Sequence, residues 1–375
     1  MATFFRVARP VRGQEPSDVV RSFVFMANLA AQEITGETGS SVSAARVVQR
    51  LAGSTESDSL MVVMAESGPG MWEIDPDTGH SLLPSTLTEG FADVSEDYEY
   101  LGFLHLSIPL REDLAMVELE CVLDAEFQPV PGERLTAEGS QVYQSLLAEG
   151  ESLARTLGRK VIQLWQTHPV TEDPGAESFA EQLRAAGFLP DLVEVQGVIE
   201  LFEVSRQSPI LPADVGVDYF DSHLIPDSHL EGVLGLLYQA SLDIPHGQLY
   251  LEPQRWTRER LAEAEARRLN TGLEVAYVVL SDAAGPVALS ELHRHPASEP
   301  GTLEQGITVV SPRRRGQGLG RMVKHLALIQ AMERWPWAER VYSSGGAQNA
   351  GMLHINRSLG MREISRGTAW QKILL

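Results

Sequence analysis

Two periods run through the hydrophobic and polar positions of this chain. Apolar residues three and four apart predict helices over 17–34, 42–51, 139–157, 179–186, 230–241, 253–268 and 349–359. Another begins at Leu319, where Met322, Val323, Leu326 and Ile329 continue one face. Short apolar or alternating runs predict strands at 5–8, 60–65, 100–108, 118–123 and 161–167, and again at 217–220, 274–280, 287–293, 303–310 and 340–344. The order of elements in the first half returns in the second, and Gly187-Phe188 has its counterpart in Leu359-Gly360-Met361. Two copies of one unit indicate duplicated domains rather than a solenoid. The stretch 207–214 (QSPILPAD) is the expected linker between a domain 1–206 and a domain 207–375.

The copies differ most at one turn. In the second, the strand 303–310 runs into SPRRRGQGLGRMVK, residues 311–324, where three arginines precede Gly316, Gly318 and Gly320 and a helix follows. The first turn of a helix has backbone N–H groups without partners and a partial positive charge. Glycines put no side chain between those groups and a ligand, and Arg313, Arg314 and Arg315 add planar cationic donors. This is an anion cradle suited to phosphate or pyrophosphate, against the alternative of a plain glycine-rich turn with a solvated basic run. There is no Gly-x-x-x-x-Gly-Lys-Ser/Thr loop, and the glycines sit late in the chain, unlike a Rossmann fingerprint. The first copy has QPVPGERLTAEG at 128–139, with no alternating glycines and two prolines that lack N–H donors. One coenzyme per chain is therefore expected.

Arg315-x-x-Gly318-x-Gly320 after a Val-rich strand, then Asn349 and a helix ending Leu359-Gly360-Met361, resembles the paired motifs of the GCN5-related N-acetyltransferases, or GNAT family. The pair is more specific than either half. The resemblance is strong over 243–370, where it includes DIPHG at 243–247, Gln305-x-x-Thr308-x-Val310 and Asn349-x-x-Met352-x-x-x-Asn356, and weak before 200. The doubled arrangement is similar to the tandem acetyltransferases of actinobacteria, mycothiol synthase-like proteins among them. It implies an α/β (α+β) fold of two tandem GNAT domains, each a mixed, mostly antiparallel central sheet flanked by helices, the first without a cofactor cradle.

The resemblance further implies acetyl-CoA as donor. Its pyrophosphate would lie on Arg315, Gly316, Gln317, Gly318, Leu319 and Gly320, and its pantetheine arm along Thr308, Val309 and Val310, with Asn349 beside it. The Val310 N–H would face the thioester carbonyl as a modest oxyanion site. A base must free the acceptor amine of its proton. Glu304 stands eleven residues before Arg315, where several relatives carry a glutamate base, and Glu291 is the second candidate; each is otherwise an ordinary strand carboxylate. Asp243 either holds a cationic acceptor or is a plain loop carboxylate. Asn356 occupies the position at which many relatives carry a tyrosine acid, and an amide donates a hydrogen bond but supplies no proton. It either orients the sulfur or caps packing.

Composition sets the frame. At 375 residues the chain exceeds one ordinary domain, and 43% hydrophobic residues suffice for sizeable cores. No apolar run reaches a membrane span, and the opening MATFFRVARPVRGQEP lacks the pattern of a signal peptide. The one cysteine, Cys121, is expected to be a buried small hydrophobe, and a cytoplasmic location is expected. Residues 1–205 hold 33 Asp and Glu against 12 Lys and Arg, whereas 206–375 hold 18 of each, so all of the net −21 lies in the first half. Such a balance repels nucleic acid and anionic membranes and leaves the neutral half free to receive a polyanionic cosubstrate. His293 and His295 share a strand face without a third ligand at useful spacing, and no metal is expected. The expected activity is acetyl transfer to a small-molecule primary amine; a peptide or protein amine, or a silent CoA-binding sensor, are the alternatives.

Overall fold

The computed structural model describes residues 2–67, 73–87, 98–171 and 178–374. In chain order it contains β1 (Thr3–Val7), α1 (Asp18–Thr35), α2 (Ala44–Leu51), β2 (Ser57–Ser67), β3 (Ser81–Leu83), β4 (Tyr98–Pro109), β5 (Met116–Leu123), α3 (Ala137–Thr156), β6 (Val161–His168), α4 (Ala180–Ala185) and β7 (Leu189–Glu200). There follow β8 (Gly216–Phe220), α5 (Asp227–Asp243), α6 (Arg258–Thr271), β9 (Glu274–Asp282), β10 (Gly285–Arg294), β11 (Thr302–Val310), α7 (Leu319–Arg334), β12 (Arg340–Gly346), α8 (Ala350–Ser358) and β13 (Arg362–Ile373). Among the described residues no helix is long and apolar enough to cross a membrane.

The chain divides into two compact units, one of Met1–Val193, Gly247–Leu251 and Ser365–Leu375, the other of Glu194–His246 and Glu252–Ile364. The division differs from the one expected after residue 206. The stretch 207–214 lies inside the second unit, where Asp214 is tied to Arg314, and the end of the chain returns to the first.

In the first unit β1, β2, β4 and β5 are antiparallel neighbours, β5 and β6 run parallel, and β13 closes on β6 with Trp370 opposite Leu164. Alternation sends successive side chains to opposite faces, so each face acquires its own core. On one, Val142, Leu146 and Leu147 of α3 pack against Leu104, Leu119 and Trp370, with Cys121 partly buried beside them. On the other, Val20 and Phe23 of α1 and Val47 of α2 cover Val63 and Phe103.

In the second unit β8, β9, β10 and β11 are antiparallel, β11 and β12 parallel, and β12 pairs antiparallel with the second half of β7. Val323, Leu326 and Ala327 of α7 cover one face, against Val278, Leu280 and Leu292. Leu230, Val233 and Leu237 of α5 and Leu261 of α6 cover the other, against Val275, Tyr277 and Leu289. Helix α6 begins later than its apolar pattern predicts because the Thr257 side chain accepts from Arg260 N and sets the first turn there.

Candidate active site

The turn after β11 is built to leave a helix start open. Gly316 and Gly318 hold φ of 76° and 78°, the left-handed region glycine enters without strain. Gly318 is the N-cap of α7, and no side chain caps it. A Cβ on Gly316 would meet nothing within 4 Å, and one on Gly318 would meet Met322 Cε at 3.5 Å, so the space ahead of the helix is free. Gly320 serves packing instead, since a Cβ there would lie 3.1 Å from Ile355 Cδ1. Leu319, Gly320 and Arg321 begin the helix with no carbonyl one turn back to receive their N–H groups. The long helix α3 of the first unit starts differently: Thr136 Oγ1 accepts from Gly139 N at 3.0 Å, which fills that position from within.

The three arginines are engaged. Arg313 forks onto Asp282 at 2.8 and 2.9 Å, Arg314 reaches Asp214 at 2.7 Å, and Arg315 pairs with Asp243 while donating Nε to Val310 O at 3.2 Å. They anchor the turn to the end of β9, the segment before β8 and the end of α5. Asp243, considered above as a hold for a cationic acceptor, is the carboxylate partner of Arg315.

Asp243, which holds Arg315 of this turn, also lines a cavity in the sheet. Strands β11 and β12 are paired from Thr302↔Arg340 to Glu304↔Tyr342. Beyond those three pairs they part, and a cavity of about 440 Å³ is lined by Gln305–Val309 on one side and Ser343–Gly346 on the other. Asp243, Ile244 and Pro245 at the end of α5, Lys324 on α7, and Asn349 and Met352 at the start of α8 complete its wall. Ser311 N donates to Val287 O at 2.8 Å, so alternation along β11 turns the backbone groups of Val310 and Thr308 toward the gap. Asn349 also has a structural task, as its side chain accepts from Met352 N and caps α8.

A bulge places the acidic group. The β10–β11 register shifts between Ser290 and Leu292, so Gly306 and Ile307 together oppose Glu291. A Cβ on Gly306 would lie 2.7 Å from Glu291 Oε2; glycine is what lets the carboxylate settle over the bulge. Glu291 is buried and makes an ion-pair contact of 2.8 Å with His293 Nε2. Burial raises its pKa, but the facing charge and hydrogen bond of His293 and a hydrogen bond from Tyr277 outweigh that and bring it to about 2. Tyr277 OH also contacts His223 Nδ1 at 2.7 Å, and His223 N donates to Glu265, which Arg268 clasps at 2.6 and 2.8 Å.

This network borders a second cavity of about 360 Å³, walled largely by Leu237, Trp256, Leu261, Ala264 and Leu273. Glu291, His293 and Ile307 line both cavities and form the partition between them. Glu304, the first sequence candidate for the base, lines neither and lies 3.7 Å from His295 Nε2.

Asn356 is fully buried, with its Oδ1 accepting from Lys324 Nζ at 2.5 Å. Lys324 is 1% exposed and also donates to Ser343 Oγ at 3.1 Å. Both partners are neutral, and burial lowers the Lys324 pKa from 10.5 to about 7. Sequence reasoning did not single out Lys324, His293 as a partner of Glu291, or Glu194, a cavity-lining carboxylate whose pKa burial raises. Lys324 carried a signal: one of three lysines in an arginine-rich chain, it falls four residues after Gly320 and four before Leu328, on a buried helix face.

No protein-family model and no curated protein matches the sequence. Solved structures do. A tandem GNAT protein from the clavulanic acid biosynthesis pathway superposes with a TM-score of 0.68 at 17% identity, covering 100% of this chain and 98% of its own. A GCN5-related N-acetyltransferase from Sphaerobacter thermophilus gives 0.60 at 14% identity, covering 99% and 95%. A glucosamine N-acetyltransferase region of a fungal multi-domain GH3 beta-N-acetylglucosaminidase gives 0.51 at 12% identity, over 99% of this chain and 38% of that one. Together with two similarly built units, one of which parts its sheet beside an uncapped helix start, these likenesses give the chain the fold of a tandem GCN5-related N-acetyltransferase.

Proposed function

We propose that the second unit transfers an acetyl group from acetyl-CoA to the primary amine of a small molecule by direct attack on the thioester. The observation that carries this is that β11, where it has parted from β12, runs on directly into the open start of α7. Backbone groups of Thr308 and Val310 face the gap between the strands, and the uncapped helix start at Leu319–Arg321 follows in the next turn of the chain. An amide-bearing arm ending in a diphosphate satisfies both at once. Acetyl-CoA supplies the activated acyl group, and every other requirement falls on this chain's residues.

The partition residues support the acceptor assignment. The second cavity has the size and apolar lining of a small-molecule site, and an amine in it meets Glu291 and His293 at the boundary with the donor. A carboxylate held at about 2 is a weak proton acceptor, whereas the neutral form of an imidazole takes a proton readily and leaves an imidazolium that the carboxylate stabilises. In this proposal His293 takes the amine's proton and Glu291 orients and charge-balances it; Glu304 has no part. The first unit, with Thr136 capping α3 from within and prolines at Pro129 and Pro131, serves as scaffold. A silent coenzyme-binding role is favoured by one observation, that buried Asn356 cannot supply a proton to the leaving sulfur.

Calorimetry of CoA with the full chain and thiol release on an amine panel test the proposal. One site per chain and turnover on an amine are expected. Tight CoA binding with no thiol release on any amine would favour the silent role, and no binding would refute both.

A further inference from the structure

The leaving sulfur needs a proton, and Asn356, where a tyrosine acid is found in similar proteins, has none to give. Its carbonyl oxygen instead holds an ammonium. We propose that Lys324, fixed by Asn356 and Ser343 in the wall of the β11–β12 cavity, is the proton donor to the thiolate that departs from CoA. This rests on the proposed binding of acetyl-CoA in that cavity.

Three observations converge on it. Lys324 Nζ is buried on α7, one turn beyond the open helix start, and lines the same cavity as Thr308 and Val309. Its partners, Ser343 Oγ at 3.1 Å and Asn356 Oδ1 at 2.5 Å, come from the far strand and from α8, so the amine is held from two sides. Both partners are acceptors here, and an ammonium has a third donor for a further one. Burial brings its pKa to about 7, below the roughly 8.5 of an ordinary thiol, so proton transfer to the thiolate runs downhill. The other titratable groups on the cavity wall are Glu194, Asp243, Glu291 and His293. Asp243 is taken by Arg315 and Glu291 by His293, and burial raises the pKa of Glu194.

The balance closes. The acceptor nitrogen forms a bond to the thioester carbon, the carbon–sulfur bond breaks with its electron pair on sulfur, and Lys324 delivers a proton there. The proton lost by the amine goes to His293, and both side chains re-equilibrate with water when products leave. An arginine in place of Lys324 would keep the charge but not the acid, since a guanidinium stays protonated above pH 12.

The test is the titration of CoA labelled with ¹³C at the thiol-bearing carbon, bound to the full chain, in wild type and in Lys324→Met. In the wild-type complex Lys324 is expected to titrate at lower pH than the bound thiol, the order that makes it the acid, so the thiol ionises beside a neutral amine and its midpoint is not lowered relative to Lys324→Met. The Lys324 side-chain signal of the wild type is also expected to move on CoA binding, a readout that needs no variant; Lys324→Gln serves if methionine impairs folding. A bound thiol that titrates below Lys324, or whose midpoint is a pH unit or more lower in wild type than in Lys324→Met, overturns this inference alone, as does acetylation of Lys324 itself on incubation with acetyl-CoA. Failure of the wild type to bind CoA overturns the proposed function with it.

Discussion

Replacing Lys324 by methionine probes the site with no ligand present. The buried ammonium lowers the folded-state pKa from 10.5 to about 7, while the unfolded chain keeps the ordinary value. Between those pH values the unfolded chain holds a proton that the folded chain has lost, so wild-type stability rises with pH across the window. Below about pH 7 both states are protonated and the full penalty is present; above about 10.5 it is gone. At about 1.4 kcal/mol per pH unit the window integrates to roughly 5 kcal/mol. Methionine removes that penalty but orphans Asn356 Oδ1, which costs about 1–3 kcal/mol. Lys324→Met should therefore be more stable than wild type by about 2–4 kcal/mol near pH 6 and less stable by about 1–3 kcal/mol near pH 10.5. Urea unfolding across that range reads the crossing directly. Lysine-selective ¹³C spectra read the same titration, because the chain has three lysines, Lys160, Lys324 and Lys372. Parallel stability curves, or a Lys324 signal titrating near 10, would refute the argument.

Three further outcomes follow from the geometry. Gly318→Glu should lose CoA binding by calorimetry, at a folding cost of about 1–2 kcal/mol from its φ of 78°, and unchanged affinity would dismiss the assigned cradle. Once an acceptor amine is in hand, Glu291→Gln should lower kcat by about 100-fold or more while Glu304→Gln stays within about twofold, and the reverse order would return the base role to Glu304. Gly306→Ala should place its Cβ against Glu291 Oε2 and cut kcat with CoA affinity intact, measured by the same thiol-release assay.

Much of this fold is legible in sequence because period and punctuation agree. Helices α1, α3 and α7 follow their apolar spacing closely, and the glycines after β11 mark the turn that opens α7. Two of the three twelve-residue strands among the described residues, β7 and β13, do not announce themselves. LPDLVEVQGVIE carries Pro190, Asp191 and Gly197, and REISRGTAWQKI is half polar, so both read as punctuation. Gly197 sits in a strand for a long-range reason: a Cβ there would lie 2.7 Å from Arg362 O. The site divides in the same way. The open start of α7 is local and can be read off, whereas the pairing of Glu291 with His293 across a bulge, and of Lys324 with Asn356 from another helix, depends on tertiary contact. Arg313–Arg315 show the converse error, since their charge is visible in sequence and their partners Asp282, Asp214 and Asp243 are not.

The brevity of the β11–β12 ladder also bears on solubility. Strand borders left without a neighbour are templates for edge-to-edge aggregation, and proteins usually blunt them with charge, proline or a cover. Here Ile244, Pro245 and Met352 line the cavity beside that border. A strand border covered in this way is a poor template for a foreign polypeptide. The residues that wall the cavity thus double as a guard against self-association.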